Sequence, residues 1–187
     1  APDYPYLSGQ YFLFDNKILY KHVTSWMKNL ERIPAASTPE ALFIPKSTSF
    51  NQLSYSPNKR FSISLFECGV YQSFDTKNGV ISPNLSFFLP IMGTKALDID
   101  TTNNIIYGFN WAFLFFNNLK IYNQIAFKSI NFSKGFQLGI KWFNPLEISN
   151  SFLNIEWNMS PSGLYSMRQG QVNQSYSHLG HELAHPL

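Results

Sequence analysis

The feature that most restricts the fold is a strict alternation of large apolar side chains with polar or small ones. From Tyr107 to Phe115 every odd position is aromatic, and the even positions begin with glycine, asparagine and alanine. The same alternation recurs in two further segments, from Phe136 to Trp142 and from Leu153 to Met159. Because successive side chains of a strand point to opposite faces, each segment is predicted to be a β-strand with one apolar and one polar face.

Short turns join these segments. Asn117-Asn118 and Ser133-Lys134-Gly135 are connections of the length that antiparallel neighbours use, so residues 105–159 are predicted to form an up-and-down meander. Further strands are predicted at Gly9 to Phe14, Ile18 to Lys28, Phe50 to Tyr55 and Phe61 to Ser73. In the last of these the apolar side changes parity midway, which predicts a β-bulge near Glu67. The prediction is an all-β, antiparallel chain with a single domain over residues 1–187.

Composition limits the possible functions. A net charge of +3 is too small to indicate a nucleic-acid partner, and 17% aromatic residues are too many for a disordered chain. A single cysteine, Cys68, excludes an intramolecular disulfide framework and a thiolate metal cluster. The apolar runs are far shorter than the roughly 20 residues of a transmembrane helix.

The residue types on the two faces distinguish a soluble sandwich from a transmembrane β-barrel. The polar face carries Asn, Gln, Ser and Gly with few charges, and the apolar face is rich in Phe, Trp and Tyr, which favours lipid outside and a polar lumen inside. Aromatic residues such as Tyr107 and Trp142 close the apolar runs, where an interfacial girdle would lie. The alternative is a soluble β-sandwich that binds a carbohydrate or a partner through its aromatic residues.

The barrel prediction assigns individual residues. Those predicted to face lipid are Phe109, Trp111, Phe113, Leu138, Ile140 and Trp142. Those predicted to face the lumen are Asn110, Gln137, Lys141, Asn154 and Glu156. The candidate binding residues are Glu67, Asn110, Gln137, Lys141 and Glu156.

Three stretches carry a resemblance to a known family. Phe50 to Ser73, FNQLSYSPNKRFSISLFECGVYQS, resembles the strand–turn–strand of outer-membrane barrel proteins of Bacteroidota related to the Wzi-type capsule-assembly and gliding-motility proteins. Gly135 to Trp157, GFQLGIKWFNPLEISNSFLNIEW, is similar to that family's "Y/F-Q-L-G-x-K" strand and following "L-x-x-E-Y/W". The end, YSHLGHELAHPL, is similar to its C-terminal "HPL" segment.

The resemblance implies a non-enzymatic protein of the cell outer membrane that serves surface polysaccharide display or surface motility. Its partners would be outer-membrane lipid and surface polysaccharide or other cell-envelope proteins, with no cofactor. Glu67 occupies the position of the family's strand glutamate. The chain would be a C-terminal portion of a larger barrel, and an unpaired edge strand is expected near residues 1–30.

One motif points to a different chemistry. His181-Glu182-Leu183-Ala184-His185 matches H-E-x-x-H, in which two histidines one helical turn apart bind zinc and the glutamate acts as general base. Pro186 follows at once and disfavours helical backbone at His185. In a strand the two histidines would lie about 13 Å apart, too far for one ion. We therefore expect no metal, no catalytic residues and no peptidase activity.

Overall fold

The computed structural model describes residues 6–32, 43–72, 74–75, 79–81, 85–97, 104–128, 133–161, 163–166, 168–169, 172–173, 175–178 and 181–182. In chain order its elements are β1 (Tyr6–Leu13), β2 (Ile18–Arg32), β3 (Phe43–Asn58), β4 (Phe61–Gln72), β5 (Phe74–Asp75), β6 (Gly79–Val80), α1 (Leu85–Phe88), α2 (Thr94–Leu97), β7 (Asn104–Phe115), β8 (Leu119–Lys128), β9 (Lys134–Phe143), a 3₁₀ turn (Pro145–Glu147), β10 (Phe152–Met159), β11 (Arg168–Gln169), β12 (Val172–Asn173), β13 (Ser177–His178) and β14 (His181–Glu182).

Eight strands form one antiparallel sheet in the order β1-β2-β3-β4-β7-β8-β9-β10. The all-β, antiparallel meander predicted from the sequence is confirmed. Strands β1 and β10 are the edges, and within the described residues no pairing joins them into a closed barrel. The turns at residues 14–17, 59–60 and 116–118 lie at one end of the sheet, here called the short-turn end, and the opposite end is called the long-loop end. No helix in the described ranges is long and apolar enough to cross a membrane.

Directly paired residues share a face, so the registers define rows that cross the whole sheet. The first row contains an apolar or aromatic residue on all eight strands: Tyr11, Tyr20, Leu53, Leu65, Phe109, Ile125, Phe136 and Met159. The second, nearer the short-turn end, contains Leu13, Ile18, Tyr55, Ile63, Trp111, Asn123, Leu138 and Trp157. Further rows add Phe61, Phe113, Ile121, Ile140, Ile155, Phe115, Leu119, Trp142 and Leu153. We call this surface the apolar belt.

Towards the long-loop end the apolar side of the sheet moves to the other face. There Phe66, Val70, Ile106 and Ala126 form a buried core, and Leu164 and Tyr176 cover it. The residues that supply this cover, 163–166 and 175–177, are called the C-terminal cover. On the face opposite the belt, the buried apolar residues therefore lie towards the long-loop end.

This exchange of faces corrects the bulge predicted near Glu67. Strand β4 pairs with β7 from Phe61 to Val70 without a shift, and its pairing with β3 shifts only between Tyr55 and Asn58. The parity change in β4 is real, but it marks where the apolar side passes from the belt to the C-terminal cover. The change of apolar side needs no bulge, because segments from other parts of the chain cover the two faces of the sheet at different heights.

Residues 85–97, which contain α1 and α2, pack over the belt's face at the long-loop end. Phe87 is fully buried and lies so close to Gly69 that a Cβ atom there would come within 2.7 Å of its ring. Its ring centroid is 5.5 Å from that of Tyr71. We call this segment the helical cover; it encloses the polar residues of β2, β3 and β4 described below.

Candidate functional site

Behind the first two belt rows, the opposite face of the sheet carries a continuous row of polar side chains. It consists of Ser54, Ser64, Asn110, Gln124, Gln137 and Asn158, each directly paired with the next. The Ser64 hydroxyl donates to the Ser54 hydroxyl at 2.9 Å. The four carboxamides on the neighbouring strands β7 to β10 are called the amide row. Each carboxamide offers two N–H donors and a carbonyl acceptor, so the row can bind hydroxyl groups both as donors and as acceptors of hydrogen bonds.

A second polar group lies next to the amide row, nearer the short-turn end. Tyr122 pairs with Gly139, and Gly139 pairs with Glu156. The Tyr122 ring lies across the glycine, which lets its hydroxyl donate to the Glu156 carboxylate. Asn158 Nδ2 donates to the other carboxylate oxygen at 2.8 Å. The ammonium of Lys141 lies 5.2 Å from the centre of the Tyr122 ring. Glu156 is therefore fixed in orientation although it is exposed.

Gly139 is required for this arrangement, because a Cβ atom there would come within 2.1 Å of the Tyr122 ring. We expect Gly139→Val to displace the ring, break its hydrogen bond to Glu156 and cost about 1–3 kcal/mol of stability. Urea titration measures the change in the free energy of unfolding. Gly163→Ala is the matched control, since its nearest foreign atom is 4.0 Å away, and equal destabilisation by both variants would contradict the role given to Gly139.

A cleft runs along this polar face. Its lining residues are Ser62, Ser64, Asn110, Trp111, Ala112, Lys120, Tyr122, Asn123, Gln124, Gln137 and Lys141. A neighbouring cleft at the short-turn end shares Ser62, Ala112 and Lys120 and adds Lys59 and Arg60. The Oδ1 atom of Asn110 is buried and has no hydrogen-bond partner among the described residues. The polar face thus combines hydroxyls, carboxamides and cations around one groove.

The register brings four of the five candidate binding residues to this face: Asn110, Gln137, Lys141 and Glu156. Asn154 pairs with Lys141 and therefore also lies on the polar face. The six residues predicted to face lipid all lie in the apolar belt on the other face. The assignment of these faces to lipid and lumen stays a prediction.

Glu67 is the exception, and its grouping with the other four is corrected. It pairs with Tyr107 and Asn51, which puts it on the face opposite Asn110. Its side chain is only 1% exposed and forms an ion pair with Lys95 of α2 at 3.3 Å. The predicted bulge would have changed the parity of the strand here, and the regular pairing of β4 removes that shift.

The buried surroundings of Glu67 form a chain of hydrogen bonds. Thr24 donates to His22 Nε2 at 3.0 Å, and His22 Nδ1 donates to Asn51 Oδ1 at 2.6 Å. Asn51 Nδ2 then donates to Glu67 Oε1 at 2.8 Å. The backbone N–H of Gly93, in the helical cover, donates to Glu67 Oε2 at 2.9 Å.

Burial lowers the pKa of Lys95, while the Glu67 carboxylate acts in the opposite direction. Because the pair is buried and satisfied from every side, it attaches the helical cover to the sheet.

The H-E-x-x-H motif lies in extended backbone where the structure describes it. His178 pairs with His181, and Ser177 pairs with Glu182, in the two-stranded unit of β13 and β14. The second motif histidine, His185, falls outside the described residues. Within the described ranges, no group of three or more His, Cys, Asp or Glu could hold a metal ion. The expected lack of peptidase activity stays a prediction.

Sequence reasoning missed three members of the polar face on β8, namely Lys120, Tyr122 and Gln124. All three occupy even positions of β8, whose alternation was not used to assign residues, and their neighbours emerge only from the register. The local sequence signal for Tyr122 was the glycine at position 139, since an aromatic residue often lies across a glycine on the next strand. Comparison with protein-family models, with curated proteins and with solved structures found no match for this chain.

Proposed function

We propose that this chain forms part of a non-enzymatic transmembrane β-barrel of a bacterial outer membrane, with the apolar belt facing lipid and the polar face lining the lumen. The lumen would handle surface polysaccharide, as the family resemblance implies. One observation carries the proposal: two rows of apolar side chains cross all eight strands with Asn123 as the one polar member, while an unbroken polar row lies behind them on six strands.

Exposure of the belt supports lipid contact. Tyr55 is 47% exposed, Ile155 58% and Trp157 62%. Contiguous apolar patches larger than a few hundred Å² are rare on soluble monomers because water makes them costly. In a bilayer the same apolar side chains would contact the hydrocarbon chains of the lipids. Strands of membrane barrels alternate apolar side chains that face lipid with polar side chains that face the lumen.

The relative positions of the strands support a barrel rather than a flat sheet. The first belt row crosses β1 at Tyr11, two residues from the short-turn end of that strand. It crosses β10 at Met159, the residue at the opposite end of that strand. The strands are therefore staggered progressively across the sheet. Closing a sheet into a barrel requires this combination of tilt and stagger, with tilts of about 35–45°.

The four tryptophans give a direct test, because all of them lie on the belt's face: Trp26, Trp111, Trp142 and Trp157. Trp111 lies in the second belt row, whereas Trp26 lies beyond the belt towards the long-loop end, about 26 Å further along the strand direction. Single-tryptophan variants in vesicles of lipid with brominated acyl chains are expected to show strong quenching of Trp111 and weak quenching of Trp26.

The soluble alternative gives the opposite result. A β-sandwich binding module would remain monodisperse in buffer without detergent, and Trp111 would escape quenching by brominated lipid. That outcome would reject the membrane-barrel proposal. Strong quenching of Trp111 together with aggregation in detergent-free buffer would support it.

A further inference from the structure

Most of the charged side chains on the polar face are positive. By register this face carries Lys21, Lys46, Lys120, Lys128 and Lys141, and among the directly paired residues of the eight-stranded sheet Glu156 is its single carboxylate. Two of the lysines have internal roles at the long-loop end. Lys46 donates to Ser175 O at 2.8 Å, and Lys128 donates to Ser166 O at 3.0 Å, which ties the C-terminal cover to the sheet.

Lys120 and Lys141 have a different environment at the short-turn end. They are directly paired on β8 and β9, and like charges in this position destabilise a sheet. Lys59 and Arg60 add two further cations to the adjoining cleft. In the part of the chain that the structure describes, no carboxylate lies within 4.0 Å of any of these four groups. The Glu156 carboxylate accepts hydrogen bonds from Tyr122 and Asn158, and Lys141 adds only a longer-range attraction to it.

The same cleft continues from the lysine pair to the amide row. Gln124 lies four residues after Lys120 on β8, and Gln137 lies four residues before Lys141 on β9, a distance of about 13 Å in each strand. A small inorganic anion cannot reach from the lysines to the amides. A ligand that contacts both must be extended, with negative charge at one point and hydrogen-bonding groups along its length.

We propose that this cleft binds an anionic oligosaccharide, with a carboxylate of the sugar between Lys120 and Lys141 and sugar hydroxyls on the amide row. The inference rests on the proposed function and specifies its substrate class. An anion between the two ammonium groups removes their mutual repulsion and makes charge-assisted hydrogen bonds with both. The carboxamides of Gln124 and Gln137, which line the same cleft, supply N–H donors and carbonyl acceptors for the sugar hydroxyls.

Oligogalacturonate is a suitable probe, and its methyl ester is the matched neutral ligand because it keeps the ring hydroxyls and loses the charge. We expect calorimetry in detergent micelles to show binding of the acid and at least about tenfold weaker binding of the ester. Lys120→Gln and Lys141→Gln are each expected to weaken binding of the acid by about tenfold. Lys134→Gln is the control, since Lys134 pairs with Phe127 and lies on the other face.

Equal binding of acid and ester, or unchanged binding by both lysine variants, would overturn the anionic site. No binding of the acid by a protein whose Trp111 is quenched by brominated lipid would also overturn it, while leaving the barrel proposal standing. Lysine-dependent binding of the acid by a protein whose Trp111 escapes quenching would keep the anionic site and reject the barrel.

Discussion

Arginine in place of Ile140 is expected to destabilise the membrane-inserted protein by about 2–4 kcal/mol, whereas arginine in place of Gln137 is expected to cost little. Ile140 lies in the apolar belt, paired with Ile121 and Ile155, and is 37% exposed. In the proposed barrel a cation at that position enters the hydrocarbon, where its desolvation is not compensated. Gln137 lies on the polar face between Gln124 and Asn158, where water and amide groups solvate the guanidinium.

Reversible urea unfolding in lipid vesicles measures both variants against the parent protein. The two sites are on the same strand and three residues apart, so strand propensity and local pairing are closely matched. Equal tolerance of arginine at the two positions would contradict the assignment of faces. A larger loss of stability from arginine at Gln137 than from arginine at Ile140 would indicate that the polar face contacts lipid.

Lys95→Met is the substitution expected to have the largest effect outside the sheet. It removes the cation that neutralises Glu67, and the side chains of both residues are at most 1% exposed. Breaking a buried pair from one side leaves an uncompensated charge and costs about 3–5 kcal/mol. The loss is expected to fall on the helical cover, whose attachment to the sheet includes this pair. Hydrogen exchange of residues 85–97 should therefore accelerate more than exchange within β8 and β9.

The double variant Glu67→Gln with Lys95→Met provides the control. Glutamine carries no charge and still offers an oxygen to the backbone N–H of Gly93, so part of the lost protection should return. Lys134→Met, at an exposed position of β9, should have little effect. If Lys95→Met left exchange of the helical cover unchanged, the ion pair would not be what holds that segment.

Alternation along the chain was sufficient to predict the strands, because the direction of a strand side chain depends only on its own position. Strands β1 to β4 overlap the predicted segments, and β7 to β10 form the predicted meander. The predicted bounds were too short for β3, which begins at Phe43 and not at Phe50, and β1 begins at Tyr6 and not at Gly9. The cause of the parity change in β4 was not predictable in this way. It depends on Leu164 and Tyr176, which lie about a hundred residues further along the chain and cover Phe66 and Val70.

In the candidate site, too, some residues could be predicted from alternation within one strand, whereas others depend on how the strands align. Asn110, Gln137, Lys141 and Glu156 were assigned by alternation within their own strands, and the register puts them on one face. Glu67 was named with them because it occupies the position of the strand glutamate in the resembled family, and the regular pairing of β4 puts it on the other face. The repulsive pair Lys120 and Lys141 could not be recognised from spacing, since it arises from the alignment of two strands.

The C-terminal cover has a consequence for the order of folding. Neighbouring strands of the meander can pair as hairpins over short stretches of chain, which is kinetically inexpensive. The hydrogen bond from Lys46 to Ser175 joins residues 129 positions apart, so it requires the closure of a long loop. We therefore expect the sheet to form first and the cover to dock last, so that Phe66 and Val70 stay accessible to chaperones until synthesis has passed Tyr176.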